Sequence, residues 1–252
     1  MKTNQPEVIL FTHTPDPEKS IALAVSAWHA DSEGFPSSID SFDDDQANKM
    51  AKAGIRAFHK TAIEYVNLIF IIKNVSRAFQ QQLTRTRHAS YSIQSMRIVD
   101  KRGFASEGRY TMPPYLSIDK QKQSHDAMLM IEQQYASMLD SGFEIEDARG
   151  ILPIHVHSEI TMSINLNALY HMMSQRFCVN TQWEFRQVAT QMKELVKNNL
   201  GHLFSRPMDA PCVKSNTCPM GKDYCGTPVW KLNESERIDF YKKFSPANKE
   251  VV

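Results

Sequence analysis

Long apolar runs, a secretory leader and an excess of charge are all missing from this 252-residue chain. No stretch approaches the ~20 apolar residues that a membrane-spanning helix needs, so no membrane partner is expected. The opening MKTNQPEVILFTHTPDP meets proline and aspartate too early for a leader, which makes the cytoplasm the expected location. Lys and Arg number 29 against 28 Asp and Glu, leaving a net charge of +1. Bulk electrostatics therefore give no reason to expect nucleic-acid binding. Any anion recognition must come from a local cluster. Four cysteines in this length do not suggest a disulfide framework, and no internal repeat is visible. What remains is 42% hydrophobic and 23% charged residues, ordinary for a globular protein with a sizeable core. The length allows one large domain or two small ones.

EVILFTHT (Glu7–Thr14) reads as an early strand, and PDPEKSIALAVSAWHA as a helix opening on proline and acids. Residues 31–46 are polar, acidic and rich in turn formers, which predicts a surface loop that includes Asp43, Asp44 and Asp45. A helical stretch follows through Lys52 and Phe58. YVNLIFIIKNV (Tyr65–Val75) is apolar and β-branched, a buried strand. SRAFQQQLTRTR reads as a short helix, YSIQSMRIV (Tyr91–Val99) as a strand-like alternation, and KRGFASEGRYTMPPYLSIDKQ as a loop. From Gln123 the period turns helical, with Met128, Ile131, Tyr135 and Met138 on one face and Gly142 at the end. INLNALYHMMSQRF continues as a helix. In the next one Phe185, Val188, Met192 and Leu195 form a stripe closed by Gly201. The expected class is mixed α/β, with long helices in the second half.

Two stretches carry chemistry. In RTRHASYSIQSMR (Arg85–Arg97), three arginines and three serines alternate as R-x-R-x-x-S-x-S-x-x-S-x-R. Guanidinium forks suit phosphate, and hydroxyls and loop amides add neutral donors. The stretch reads as a binding loop for a phosphorylated small molecule; the plainer alternative is a solvated loop whose arginines pair with acids elsewhere. The second stretch, residues 147–189, holds Arg149, Asn165, Asn167, His171 and Arg176. Helical spacing lets one face carry polar contacts as well as packing, although methionine-rich helices commonly serve as core.

Taken together, these stretches resemble the flavin-dependent thymidylate synthases. That family's R-H-R-x-x-S-x-N-x-x-S-x-R signature is matched by Arg85-Thr86-Arg87, Ser90, Ser92, Ser95 and Arg97. Its A-R-x-x-L-P is matched at Ala148-Arg149 and Leu152-Pro153, its T-x-N at Ser163-Ile164-Asn165, and its L-R…A-Q-x-E-I at Gln175-Arg176 and residues 181–185. HKTAIEY (His59–Tyr65) echoes an upstream H-x-T/S-x-x-E-H. The resemblance spans Ser26 to Gly201 in four separate stretches.

It implies a thymidylate-synthase-like fold with an antiparallel sheet and long helices, assembled as a homotetramer with active sites at subunit junctions. It divides the chain into a catalytic region, 1–205, and a cysteine-containing extension, 206–252. FAD, reduced by NADPH, would lie beside dUMP, and methylenetetrahydrofolate would donate the carbon; the expected partners are these small molecules. By position, Gln82, Ser95, Arg97, Arg149 and Arg176 match nucleotide contacts, with Ser95 and Arg97 at the phosphate and Arg176 the catalytic residue at the uracil ring. Arg85, Thr86, Arg87, Asn165 and His171 match flavin contacts, and Ser26 and Thr61 fall near them. No protein nucleophile is implied, because the hydride comes from the flavin.

The chain departs from the pattern at Thr86, Ser92, Ile93, Tyr65, Ile98 and Asn167. Most departures fall on the flavin or folate side, while the nucleotide-side arginines remain. Three readings stay open at this point: methylation of dUMP with Thr86 and His88 replacing the missing histidine, a related chemistry such as hydroxymethylation of dUMP or action on dCMP, and a non-catalytic nucleotide-binding homologue.

Beyond the matched region, Cys212, Cys218 and Cys225 are spaced C-x5-C-x6-C among Pro and Gly. Thiolates this close suit zinc or an iron–sulfur cluster, with Cys178, His202 or a partner subunit as a fourth ligand; the alternative is a loop of reduced thiols. His155 and His157 alternate as a metal pair would, but packing is the expectation there. Trp183 and Phe185 are expected as core or subunit-interface anchors.

Overall fold

The most apolar segment of the chain becomes the spine of a sheet. A computed structural model describes residues 3–28, 30–31, 34–57, 59–221, 225–226, 229–233, 235–237 and 239. Four antiparallel strands lie in the order β1-β2-β4-β3. They are β1 (Glu7–His13), β2 (Asn67–Ser76), β3 (Ala89–Ile93) and β4 (His157–Asn165). β2 begins two residues later than its apolar run suggests, because Thr61–Tyr65 closes into a 3₁₀ turn. Its Leu68, Phe70 and Ile72 are fully buried, while Ile69 and Ile71 on the other face stay half-buried. β4 pairs with β2 on one side and β3 on the other, with Ser158, Ile160, Met162 and Ile164 buried in alternation.

Nine helices are assigned among the described residues: α1 (Pro17–Ser26), α2 (Asp44–Arg56), α3 (Arg77–Leu83), α4 (Ile118–Asp140), α5 (Ile145–Ala148), α6 (Leu166–Arg176), α7 (Trp183–Leu200), α8 (His202–Ser205) and α9 (Pro211–Ser215). The acid run is no loop. Asp43 caps α2 by accepting from the Gln46 amide at 2.7 Å, and Asp44 and Asp45 occupy its first turn. Acids at a helix start meet unpaired N–H groups and the positive end of the dipole. α2 ends at Arg56; Phe58 lies outside the described residues. The helix expected from Ile164 starts two residues later, since Asn165 is its cap and Ile164 belongs to β4.

The main core lies between the sheet and α1, α2, α3, α6 and α7. On α7, Phe185, Val188 and Met192 are fully buried as expected, but Val196 completes the stripe and Leu195 sits at its edge. Phe185 packs against Phe79 with ring centroids 4.7 Å apart. Met208 and Ala210, beyond α7, also join this core. A second cluster under α4 gathers Tyr135, Phe104, Tyr110, Ala148 and Val156, with Met128, Ile131 and Met138 against it. α4 runs 23 residues from Ile118, five earlier than expected, yet only Tyr135 is buried on it.

Candidate functional site

The signature stretch is not one loop. Arg85–His88 is a turn after α3, residues 89–93 are β3, and residues 94–97 form a second turn. On β3, Ala89, Tyr91 and Ile93 face the core, while Ser90 and Ser92 are exposed on the opposite side. A five-residue strand spans about 17 Å, so Arg85 and Arg87 at one end and Arg97 at the other cannot hold the same phosphate. Any anions that these arginines meet must be separate ones, or separate parts of a long ligand.

The first turn is fixed from below. The Tyr91 hydroxyl contacts the carbonyls of Leu83 at 3.0 Å and Thr86 at 2.9 Å, and the Thr86 amide donates to Leu83 at 3.0 Å. Burial raises the Tyr91 pKa, and its hydrogen bond at Thr86 lowers it. Facing this turn is α6, whose Asn167, His171 and Gln175 recur at i, i+4 and i+8 and so share one face. Together with Arg85, Thr86, Arg87, His88, Glu64, Asn165 and Ala168 they line a groove of about 540 Å³. Neither Arg85 nor Arg87 has a carboxylate partner among the described residues. Glu64 accepts from the Asn167 amide at 2.8 Å, and Gln175 Nε2 lies 3.1 Å from His171 Nε2. The Asn165 side-chain oxygen is committed to capping α6 through the Ala168 amide at 2.8 Å, which leaves its NH₂ for the groove.

Gln175 also borders a second cavity of about 470 Å³, which contains Gln82, Arg176 and Gln182. The Arg176 guanidinium lies 4.7 Å from the Phe185 ring centroid and donates through Nη2 to the Gln82 carbonyl at 3.3 Å. Its Nε is buried without a protein partner. Behind it stands a chain of buried polar groups. Fully buried Glu184 accepts from the Ser76 amide (2.7 Å), the Ser76 hydroxyl (2.6 Å), the Thr111 hydroxyl (3.0 Å) and Gln182 Nε2 (3.2 Å). Gln182 Oε1 in turn accepts from Gln82 Nε2. Burial pushes the Glu184 carboxyl up, and the Ser76 and Thr111 hydrogen bonds pull it back. Buried Arg186 donates to the carbonyls of Val179, at 2.7 Å, and Thr181, closing the turn between α6 and α7. Glu184 and Gln182 carry no ligand-binding signature in sequence; only their place after Arg176 in a matched motif pointed to them.

Ser95, Arg97 and Arg149 line neither cavity. Arg97 pairs with Glu146 at 2.6 Å in an exposed ion pair, and Arg149 Nε donates to the Glu146 carbonyl at 3.0 Å. The two arginines are thus tied to one residue on α5. Ser26 closes α1 with its hydroxyl on the Leu23 carbonyl at 2.8 Å, and Thr61 is exposed at the start of the 3₁₀ turn that carries Glu64. Neither reaches the groove lining. His157 is 4% exposed with both ring nitrogens unpartnered. Burial, then the charges of Lys101 and Arg109, lower its pKa to about 3, so it is a neutral packed ring.

The cysteines alter one reading. Although distant from the matched motifs in sequence, Cys212, Cys218 and Cys225 line the Arg176 cavity together with Cys178. Burial, followed by the charges of the other three sulfurs, pushes the Cys212 thiol up. A raised pKa leaves fewer thiolates, the opposite of an activated nucleophile. As the side chains stand, no three His, Cys, Asp or Glu among the described residues are grouped to hold a metal ion.

The model for the family described as thymidylate synthase complementing protein matches residues 9–200. A flavin-dependent thymidylate synthase of Geobacter sulfurreducens is 33% identical over 229 residues, 87% of this chain and 94% of that protein. The chain belongs to the flavin-dependent thymidylate synthase family. Its members are methyltransferase-type enzymes, and this chain is one of them. A second flavin-dependent thymidylate synthase, from Clostridium tetani, is 31% identical over 243 residues, covering 89% of this chain and 95% of that protein. Among solved structures, thymidylate synthase X from Helicobacter pylori with FAD and dUMP superposes with a TM-score of 0.64 at 19% identity, over 81% of this chain and 99% of that one. The UMP/dUMP methylase PolB from Streptomyces cacaoi, bound with 5-Br dUMP, gives 0.64 at 20% identity, over 83% and 99%. At those identities the superpositions speak to the fold, and they agree with the expected mixed α/β class and antiparallel sheet.

Proposed function

We propose that this synthase methylates dUMP to dTMP, with FAD as bound cofactor, NADPH as its reductant and methylenetetrahydrofolate as carbon donor. The observation that carries the reading is the meeting of two cavities at Gln175: one groove with Arg85, Thr86, Arg87, Asn165 and His171, and one cavity with Gln82 and Arg176. The groove suits a flavin dinucleotide. Two guanidiniums without carboxylate partners fit a diphosphate, and His88, Asn167 and the Asn165 amide add neutral donors where the family histidine and arginine have changed. When bound, reduced FAD supplies the hydride for the uracil ring.

The chain's own task is position and charge. Arg176, held by Gln82 and backed by Phe185, offers a guanidinium without a carboxylate partner to the anion that develops on the pyrimidine. Ser95 and Arg97, with Arg149, form the phosphate-side group. These residues lie apart from the Arg176 cavity, and this supports a homotetramer in which one protomer completes the site of another. The protein is taken to act in the cytoplasm. Residues 1–205 form the catalytic region and 206–252 its extension.

The test is incubation with dUMP, dCMP or UMP, together with reduced flavin and methylenetetrahydrofolate, and product mass as readout. A dUMP product heavier by one CH₂ supports methylation. An added CH₂O, or turnover of dCMP alone, replaces it with the related chemistry that the departures at Thr86 and Asn167 leave room for. No product and no bound flavin would overturn the proposal.

A further inference from the structure

The chain has four cysteines, and all four line one cavity. They arrive from two regions. Cys178 belongs to the turn between α6 and α7, directly after Arg176 and Phe177, whereas Cys212 lies on α9 and Cys218 and Cys225 follow it. Proximity along the chain explains three of them; only folding brings in the fourth. All are half-buried, and no disulfide joins them. Phe177, Val179, Ala210, Pro211, Pro219 and Val229 supply the apolar part of the wall, beside the Arg176 and Gln182 end. Among the described residues, no His, Asp, Glu or Lys contributes to it.

That composition selects among uses for the thiols. A nucleophile needs a neighbouring base to take its proton, and the described residues of this wall include none. Four thiols lining one pocket offer a soft cation a set of sulfur donors, with deprotonation of the thiols on binding. An all-sulfur donor set without oxygen ligands selects zinc or iron. The chain also turns as such a site requires. Asn216 and Gly226 adopt positive φ of 56° and 81°, bending the backbone between Cys212 and Cys218 and just after Cys225. The sulfurs are not yet grouped at coordinating distance. Binding therefore requires the sulfurs to move together, and rotation about χ1 swings each Sγ between staggered positions.

We propose that Cys178, Cys212, Cys218 and Cys225 together bind one thiolate-ligated metal centre that ties the carboxyl-terminal tail to the α6–α7 turn beside Arg176. The centre is structural. Four protein ligands leave no open position for substrate, and its effect on the reaction runs through the turn that positions Arg176 and Gln182.

The test uses the full chain, purified anaerobically with reductant and without chelator, and analysed for metals and acid-labile sulfide. About one zinc per chain, or iron with matching sulfide, supports the proposal and identifies which centre is held. Replacing zinc with cobalt(II) should give the intense sulfur-to-metal charge-transfer absorption of a tetrathiolate site. Cys218→Ser and Cys225→Ser, tested singly, should each lower metal retention at least about tenfold. Wild-type protein that holds no metal and takes up neither zinc nor cobalt under these conditions overturns the proposal, whether or not the variants fold. So does full retention of the metal in both variants. Metal content is read without turnover, so failure here leaves the flavin and nucleotide assignments standing, and failure of those leaves this one.

Discussion

Arg176 meets no carboxylate among the described residues; its contacts are a carbonyl and an aromatic face. Burial alone depresses its pKa, and its Nε is unpartnered. A half-buried cation in this state favours an anionic ligand over solvent exclusion by protein alone. Arg176→Ala should therefore lower kcat by about 10²- to 10³-fold, the usual loss when one charge-stabilising donor is removed. Thermal stability should hold within about 0.5 kcal/mol. Steady-state kinetics beside a melting curve check both; a variant with near-normal kcat removes Arg176 from the chemistry. Arg97 is the contrasting case, because Glu146 already occupies its fork at 2.6 Å. On the proposed assignment, a nucleotide phosphate would have to displace that carboxylate. Exposed pairs of this kind are worth about 0.2–1 kcal/mol. Glu146→Gln should thus tighten dUMP binding by roughly 1.5- to 5-fold, measured by calorimetry, and weaker binding would mean that Glu146 holds Arg97 in place for the ligand rather than competing for it.

At the scale of elements, β3 matters as a spacer and β4 as the strand that carries everything else. β3 separates the two arginine ends of the signature, and Tyr91 on it pins the first turn. That division was half legible: Tyr91–Val99 read as a strand, but β3 is A-S-Y-S-I, whose period of two puts serines outward, and it ends at Ile93, while the density of arginine and serine made the stretch as a whole read as one binding loop. β4 was harder to see. SEITMSIN alternates as a half-buried strand should, yet it runs without a break into the apolar helix α6, and the only boundary mark is the capping Asn165. By contrast β1, β2 and the α7 stripe were legible, because each is long and strongly periodic. The α6 face was half legible: Asn165, Asn167 and His171 stood out, while Gln175, one turn further, links the two cavities. His157, the first residue of β4, carries a prediction that belongs to this strand. Its pKa falls from 6.5 to about 3 on folding, so between those values the unfolded chain binds the proton that the folded chain refuses. The stability it contributes is present above pH 6.5 and is lost as pH falls toward 3. The slope reaches about 1.4 kcal/mol per pH unit in the middle of that window. His157→Gln should flatten the decline of Tm between neutral and acid pH relative to wild type; parallel curves would mean that the ring is solvated.

For the whole molecule, the residues proposed to serve one site do not come together within one chain. The groove beside Arg85 and Arg87 adjoins the Arg176 cavity, whereas Arg97 and Arg149 stand with Glu146 near α5, outside both. Large apolar side chains are exposed in that part of the sequence: Ile98 at 76%, Ile118 at 83%, Met130 at 68% and Phe143 at 52%. On the 23-residue helix α4, Met128, Ile131 and Met138 meet the second cluster, but Ile118 and Met130 stay exposed, and exposed apolar groups of this size suit an interface. A second copy of the chain would cover these residues and bring Arg97 and Arg149 to a neighbour's Arg176. Mixing experiments separate this from a site built within one chain. Arg97→Ala and Arg176→Ala proteins, each impaired at low dUMP, are unfolded together in equal amounts and refolded. If each site draws Arg97 from one protomer and Arg176 from another, random assembly restores both residues to about a quarter of the sites. Activity should rise to about that share of wild type, although no wild-type chain is present. If both residues serve the same chain's site, every site keeps one lesion and mixing gains nothing.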